Sequence, residues 1–154
     1  MQKKIFLYAG ILLISLTVFS FTIQEHHDTE AEKAVKELIL KSYVNGAFND
    51  LDPDAMRNGF HPEFSIYSAK GEELKKYPIA TWADRTAQRK ADPKFDAAKN
   101  KWAHNFAAVD VTGGSASVKI ELSHEGKHVY TDYLSLLKFD SGWKIVAKVY
   151  HKHD

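Results

Sequence analysis

The residues that could do chemistry in this chain are histidines, one lysine and a few carboxylates and phenols. His124-Glu125-Gly126-Lys127-His128 spells the H-E-x-x-H pattern of zinc proteases. That pattern works only on a helix, where two imidazoles share one face beside the glutamate. Here the flanks Ser117–Leu122 and Val129–Tyr133 alternate as strands, and Gly126 sits where a hairpin must turn. The expectation is therefore a turn, with no metal site and no zinc-dependent proteolysis. Lys148 lies inside the apolar run Ile145–Tyr150. Buried, it needs a partner, and Asp132 or another carboxylate could supply one. The alternative is a lysine that faces solvent at a sheet edge or snorkels there. His104 shares a strand face with Trp102 and Phe106, which suits a core histidine as well as a site residue. His26 and His27, like His151 and His153, read as solvated terminal segments that could also scavenge metal.

The elements that must position these groups follow from patterning. Lys3 and Lys4 precede an apolar run from Ile5 to Ile23, and charge returns at Glu25. Residues 1–23 are therefore expected to be a signal peptide, with Val18 and Ser20 placed for cleavage, or an uncleaved anchor. Either way the lysines stay inside, and residues 24–154 form one domain facing outward, periplasmic or secreted. A membrane is a partner only if the segment stays uncut.

Thr29 and Glu32 make a capping box, and Ala34, Val35, Leu38, Ile39, Tyr43, Ala47 and Phe48 recur at helical spacing. Asp52-Pro53 starts a short helix to about Asn58, with Gly59 as a left-handed exit. Phe60–Ser68 reads as a strand, Lys70–Pro78 as a loop, and Ile79–Ala87 as a helix ended by Asp92-Pro93. Four strands follow, over Trp102–Thr112, Ser115–His124, Lys127–Phe139 and Trp143–Lys152. Gly113-Gly114, Gly126 and Ser141-Gly142 turn them into an antiparallel meander. Leu134, Leu136, Ile145, Ala147 and Val149 are expected on one sheet face, and Tyr133, Leu137, Val146 and Tyr150 on the other. Both faces then need cover, the helices giving one and a second copy of the chain the other, so a homodimer is expected.

Composition excludes several classes. The 154 residues are 44% hydrophobic and 27% charged, with a formal net charge of +1. No basic stripe points to nucleic acid. With no cysteine there is no disulfide framework, thiolate metal site or cysteine nucleophile. Gly113-Gly114 lacks the lysine and helix of a phosphate loop.

The order of helix, short helix, strand, helix and four-strand meander resembles the nuclear transport factor 2-like superfamily, with its SnoaL-type cyclases and ketosteroid isomerases. The likeness is greatest to bacterial putative lumazine-binding proteins. It rests on Tyr43–Phe48, Phe60–Phe64, Thr131–Leu137 and Gly142–His151. It implies an α+β fold: a cone-shaped (cystatin-like roll) curved, mostly antiparallel sheet with the N-terminal helices packed on its concave face. The pocket would lie between helices and sheet, which makes Trp82, His104, Asp132, Tyr133, Lys148 and His151 candidates to line it, together with Tyr43 and Tyr67. The isomerase pattern has a helix Tyr and a strand Asp as oxyanion donors and an Asp base on the first strand. Tyr43 matches the tyrosine. The base position falls near Ser68 and the second donor at Ser135, and neither is a carboxylate, so isomerase chemistry lacks its base.

Three functions remain open. The first is an exported dimeric protein that binds a small, partly aromatic or oxygenated molecule. The second is a cofactor-independent lyase, hydratase or isomerase using Tyr43, His104 and Asp132. The third is a non-catalytic association domain whose own side chains fill the pocket. No cofactor is expected.

Overall fold

The computed structural model describes residues 29–154; the expected export segment lies outside them. Helix α1 (Glu30–Leu38) starts at the expected capping box. The Glu32 amide donates to Thr29 Oγ1 at 3.1 Å, and the Thr29 amide to the Glu32 carboxylate at 2.6 Å. The chain continues without a break into a π-helical segment, Ile39–Asn49. This departs from the uniform α-helix that the spacing suggests. The wider turn places residues five apart on one side, so Tyr43 and Phe48 meet edge to face with ring centroids 5.3 Å apart.

Helix α2 (Pro53–Gly59) is capped by Asp52, whose Oδ1 accepts from the Asp54 and Ala55 amides, each at 3.0 Å. Gly59 is not the left-handed exit expected of it. Its role is close approach: a Cβ built there would lie 2.2 Å from the Ser42 Cβ. Helix α3 (Ile79–Lys90) completes the helical layer.

Six strands form one sheet: β1 (Phe60–Lys70), β2 (Glu73–Pro78), β3 (Trp102–Thr112), β4 (Ser115–His124), β5 (Lys127–Phe139) and β6 (Gly142–Lys152). Their order is β2-β1-β6-β5-β4-β3, antiparallel except for the parallel β1–β6 pair. The β2 segment is expected as loop from its mostly polar residues. It is an exposed edge strand, hydrogen-bonded to β1 alone, and such a strand needs no apolar face. The H-E-x-x-H segment is a hairpin. Glu125 and Gly126 turn with positive φ, His124 pairs with Lys127, and His128 pairs with Ser123 on the other face of the sheet.

Bulges bend the meander. One extra residue stands in each of three strands, Ala107 in β3, Val129 in β5 and Val146 in β6. The Val146 bulge corrects the expected faces of β6. Ile145 pairs with Leu136 toward the helices, but beyond the bulge it is Lys148 and Tyr150 that point inward, opposite Leu134 and Asp132. Val149 is turned out, opposite Tyr133. The core lies between helices and concave face. Val35, Ile39, Tyr43, Val44 and Ala47 pack on Val118, Ile120, Leu122, Leu134, Leu136 and Ile145, all buried. Each such large aliphatic contributes about 1.5–3 kcal/mol by leaving water.

Candidate functional site

Three of the polar side chains buried in this core meet one another. Tyr43 comes from the π-helical segment, Asp132 from β5 and Lys148 from β6. Asp132 is 0% and Lys148 4% exposed. The Tyr43 hydroxyl donates a short hydrogen bond to Asp132 Oδ2 and accepts one from Lys148 Nζ at 2.6 Å. Lys148 Nζ lies 2.8 Å from Asp132 Oδ1, an ion pair by distance, although that buried oxygen receives no aligned hydrogen bond. The three groups form a closed array with a continuous path from ammonium through phenol to carboxylate.

Burial sets the electrostatics. It lowers the Lys148 pKa from the ordinary lysine range, and the Asp132 charge and hydrogen bond only partly restore it. Burial first, then Asp132, hold the Tyr43 phenol well above a normal tyrosine. Tyr43 is thus a protonated bridge at any physiological pH.

Lys148 is also the floor of a cavity of about 310 Å³. Its walls are Phe48, Trp82, Tyr130 and Tyr150, whose ring centroids lie 5.1–5.9 Å from the Lys148 nitrogen. Arg89, exposed on α3 seven residues beyond Trp82, stands at the rim with Tyr77 and Ser68. The volume is at the small end of ligand sites, and the lining combines aromatic surface with a few polar groups.

Of the residues singled out from sequence, the structure brings Tyr43, Trp82, Asp132 and Lys148 together. Tyr67 points the other way, under Lys76 Nζ at 5.9 Å. Tyr133 is 46% exposed on the convex face. His104 is exposed on edge strand β3, in edge contact with Phe106, and does not line the cavity. His151 packs against His153 at the chain end. Ser68 does reach the cavity rim, whereas Ser135 faces outward opposite Ala147. The acidic partner of Tyr43 is Asp132, three residues before the position the isomerase alignment suggested. Sequence reasoning missed Phe48, Arg89, Tyr130 and Tyr150 as lining residues. The signal for Arg89 was present, since it falls on the Trp82–Thr86 face of a helix; that for Tyr150 was masked by the bulge.

Among the described residues, no group of three or more His, Asp or Glu side chains is arranged to hold a metal ion. The histidines nearest to one, His128 and His153, both turn Nε2 onto the Thr131 hydroxyl, at 3.1 and 2.9 Å. No helix among those residues is long and apolar enough to cross a membrane.

Comparison with known proteins adds to this geometry. The family model described as "Putative lumazine-binding" matches residues 30–151. Aldolase FrzH from a Cladobotryum species is 30% identical over 98 residues, covering 63% of this chain and 73% of the relative. An NTF2-like protein of unknown function from Shewanella baltica OS155 superposes with a TM-score of 0.63 at 26% identity, over 83% of this chain and 99% of that one. A domain with a cystatin-like fold from Nostoc punctiforme gives 0.60 at 13% identity, over 83% and 80%, and speaks for the fold alone.

Proposed function

Because the chain belongs to the Putative lumazine-binding family of NTF2-like proteins, we propose that it binds a small oxygenated, partly aromatic molecule in the cavity over Lys148. The observation that carries this reading is a buried, charged floor beneath aromatic walls. A lysine ammonium has three donors. One is given to Tyr43 and one faces Asp132, which leaves the third for an oxygen entering from the cavity. The rings of Phe48, Trp82, Tyr130 and Tyr150 would hold a flat body above it.

Catalysis is the second reading, in the lyase, hydratase or isomerase range. The aldolase relative favours it, and so does the array itself, which couples a proton donor, a bridge and a carboxylate at the end of a ligand cavity. Lys148 then takes the part that the sequence suggested for His104.

The proposal includes an exported protein, acting in the periplasm or outside the cell, and a homodimer. Tyr133 and Val149 are exposed as cross-strand partners on the convex face, with Leu137 exposed farther along β5, apolar surface suited to a second copy. Native mass spectrometry of the protein isolated from the envelope tests the whole reading. A dimer carrying a small non-covalent mass is expected. A protein that arrives without ligand and takes up no aromatic carbonyl or carboxylate from a screen would overturn it. Substrate turnover lost in Tyr43→Phe with binding retained would establish the catalytic form.

A further inference from the structure

The cavity floor is an amine rather than a carboxylate or a histidine, and its neighbours supply what an amine needs to react with a carbonyl. Lys148 lines the cavity, and its Nζ lies 5.1–5.9 Å from the centroids of four of the rings around it. The Lys148–Tyr43–Asp132 path gives its proton a route to a carboxylate without crossing solvent. Arg89 at the rim makes no ion pair with any described carboxylate, and its guanidinium is free for an anionic group on the far end of a ligand.

We infer that Lys148 forms an imine with an aldehyde or ketone that also carries a carboxylate, the carboxylate resting on Arg89 and an aromatic or short apolar body lying between Trp82 and Tyr150. The inference rests on reading the cavity as a ligand site. The Lys148 ammonium passes a proton along Tyr43 to Asp132, and the freed nitrogen lone pair adds to the carbonyl carbon. A C–N bond forms as the C=O π pair moves to oxygen, and one proton passing from the new ammonium nitrogen to that oxygen gives the neutral carbinolamine. Tyr43 then delivers a proton to the departing hydroxyl and regains one from Asp132. The products are the imine and one water, and no atom is oxidised or reduced. Burial supports this role, because a lysine that holds its proton less tightly presents more neutral amine. An imine at this position would withdraw electrons from the adjacent carbon of the ligand, which is the activation that making or breaking a carbon–carbon bond next to a carbonyl requires.

The test uses the full protein and 4-formylbenzoate, which carries aldehyde, ring and carboxylate in one rigid molecule. Sodium cyanoborohydride fixes any imine as a secondary amine, and peptide mapping locates it. The expected result is one adduct per chain on the peptide containing Lys148. It should form faster than on surface lysines, because burial lowers the Lys148 pKa. Lys148→Met should lose it and Tyr43→Phe should slow it at unchanged circular dichroism. Arg89→Met should erase the preference for 4-formylbenzoate over benzaldehyde. The map on the unmodified protein decides the matter even if a variant folds poorly. Native mass spectrometry without reductant reads occupancy separately. Occupancy with labelling only on surface lysines would overturn the imine and leave the pocket reading standing. Neither occupancy nor labelling of Lys148 would overturn both.

Discussion

Lys148 and Tyr43, 105 positions apart in the chain, meet at 2.6 Å in the buried floor of the cavity, with the amine donating to the phenol. Each residue alone would be an uncompensated polar group in an apolar core. Together with Asp132 they compensate one another by two hydrogen bonds and an ion pair, and the energetics of the site follow from that dependence.

Removing one member should therefore do more harm than removing two. Lys148→Met leaves Asp132 charged and buried, and should cost about 3–5 kcal/mol. Lys148→Met with Asp132→Asn removes both charges and should recover much of that loss. Urea unfolding followed by circular dichroism measures the difference. Equal losses in the single and double variants would mean that the pair is not coupled.

The tyrosine has its own pH signature. An unfolded tyrosine ionises near pH 10.0, but Tyr43 in the fold keeps its proton to well above that. Above pH 10 the folded state holds the extra proton, so stability falls as pH rises, by up to about 1.4 kcal/mol per unit. Lys148 acts oppositely over a lower window: its folded pKa is depressed, so its contribution rises with pH up to the unfolded lysine value. Tyr43→Phe should lose about 1–3 kcal/mol at neutral pH. Its stability deficit against the parent should shrink above pH 10. A deficit constant from pH 8 to 11 would contradict the buried, protonated phenol.

Gly59 sets the spacing between α2 and the π-helical segment. Gly59→Ala drives a methyl into Ser42 and should cost about 1–3 kcal/mol by overpacking. Ser42→Gly in the same chain opens the space and should restore part of that stability in thermal melts. If the alanine variant melts with the parent, the two segments can slide apart and the contact is not tight.

The convex face offers a test of assembly. Val149 is 50% exposed beside Tyr133, so Val149→Lys should leave the fold intact and abolish self-association. Sedimentation of the parent as a dimer and of the variant as a monomer is the expected outcome. Two monomers would remove the case for a second copy on this face.

Much of the architecture is legible in the chain. Capping at Thr29 and Asp52, the turn glycines of the meander and the alternation in β4 are local signals, and local signals survive folding. What escaped was set by neighbours. The β2 segment is a strand because β1 offers an edge, not because of its own pattern. Gly59 serves Ser42, a residue 17 positions away. At the site, Lys148 stands out because a charge in an apolar run is anomalous on its own, whereas Tyr43 and Asp132 are reached through the family resemblance and the need of Lys148 for a partner. His104 and Tyr133 have equally suggestive side chains, but their strand positions put one at an edge and the other on the outer face. Residue type proposes chemistry; parity and sheet position decide who takes part.

The extra residue at Val146 gives β6 a reading frame. Before it the odd-numbered side chains Trp143 and Ile145 enter the core; after it the even-numbered Lys148 does, and Tyr150 lines the cavity on the same face. Were the same residues to alternate without the bulge, the amine would turn to the convex face and Val149 into the cavity, whereas deleting Val146 itself would leave Lys148 opposite Leu134. The identity of the site is thus written in a count as much as in a residue. A chain of this kind keeps its reactive centre with the bulge or with one residue fewer, and loses it if two residues stand between isoleucine and lysine in unbroken alternation.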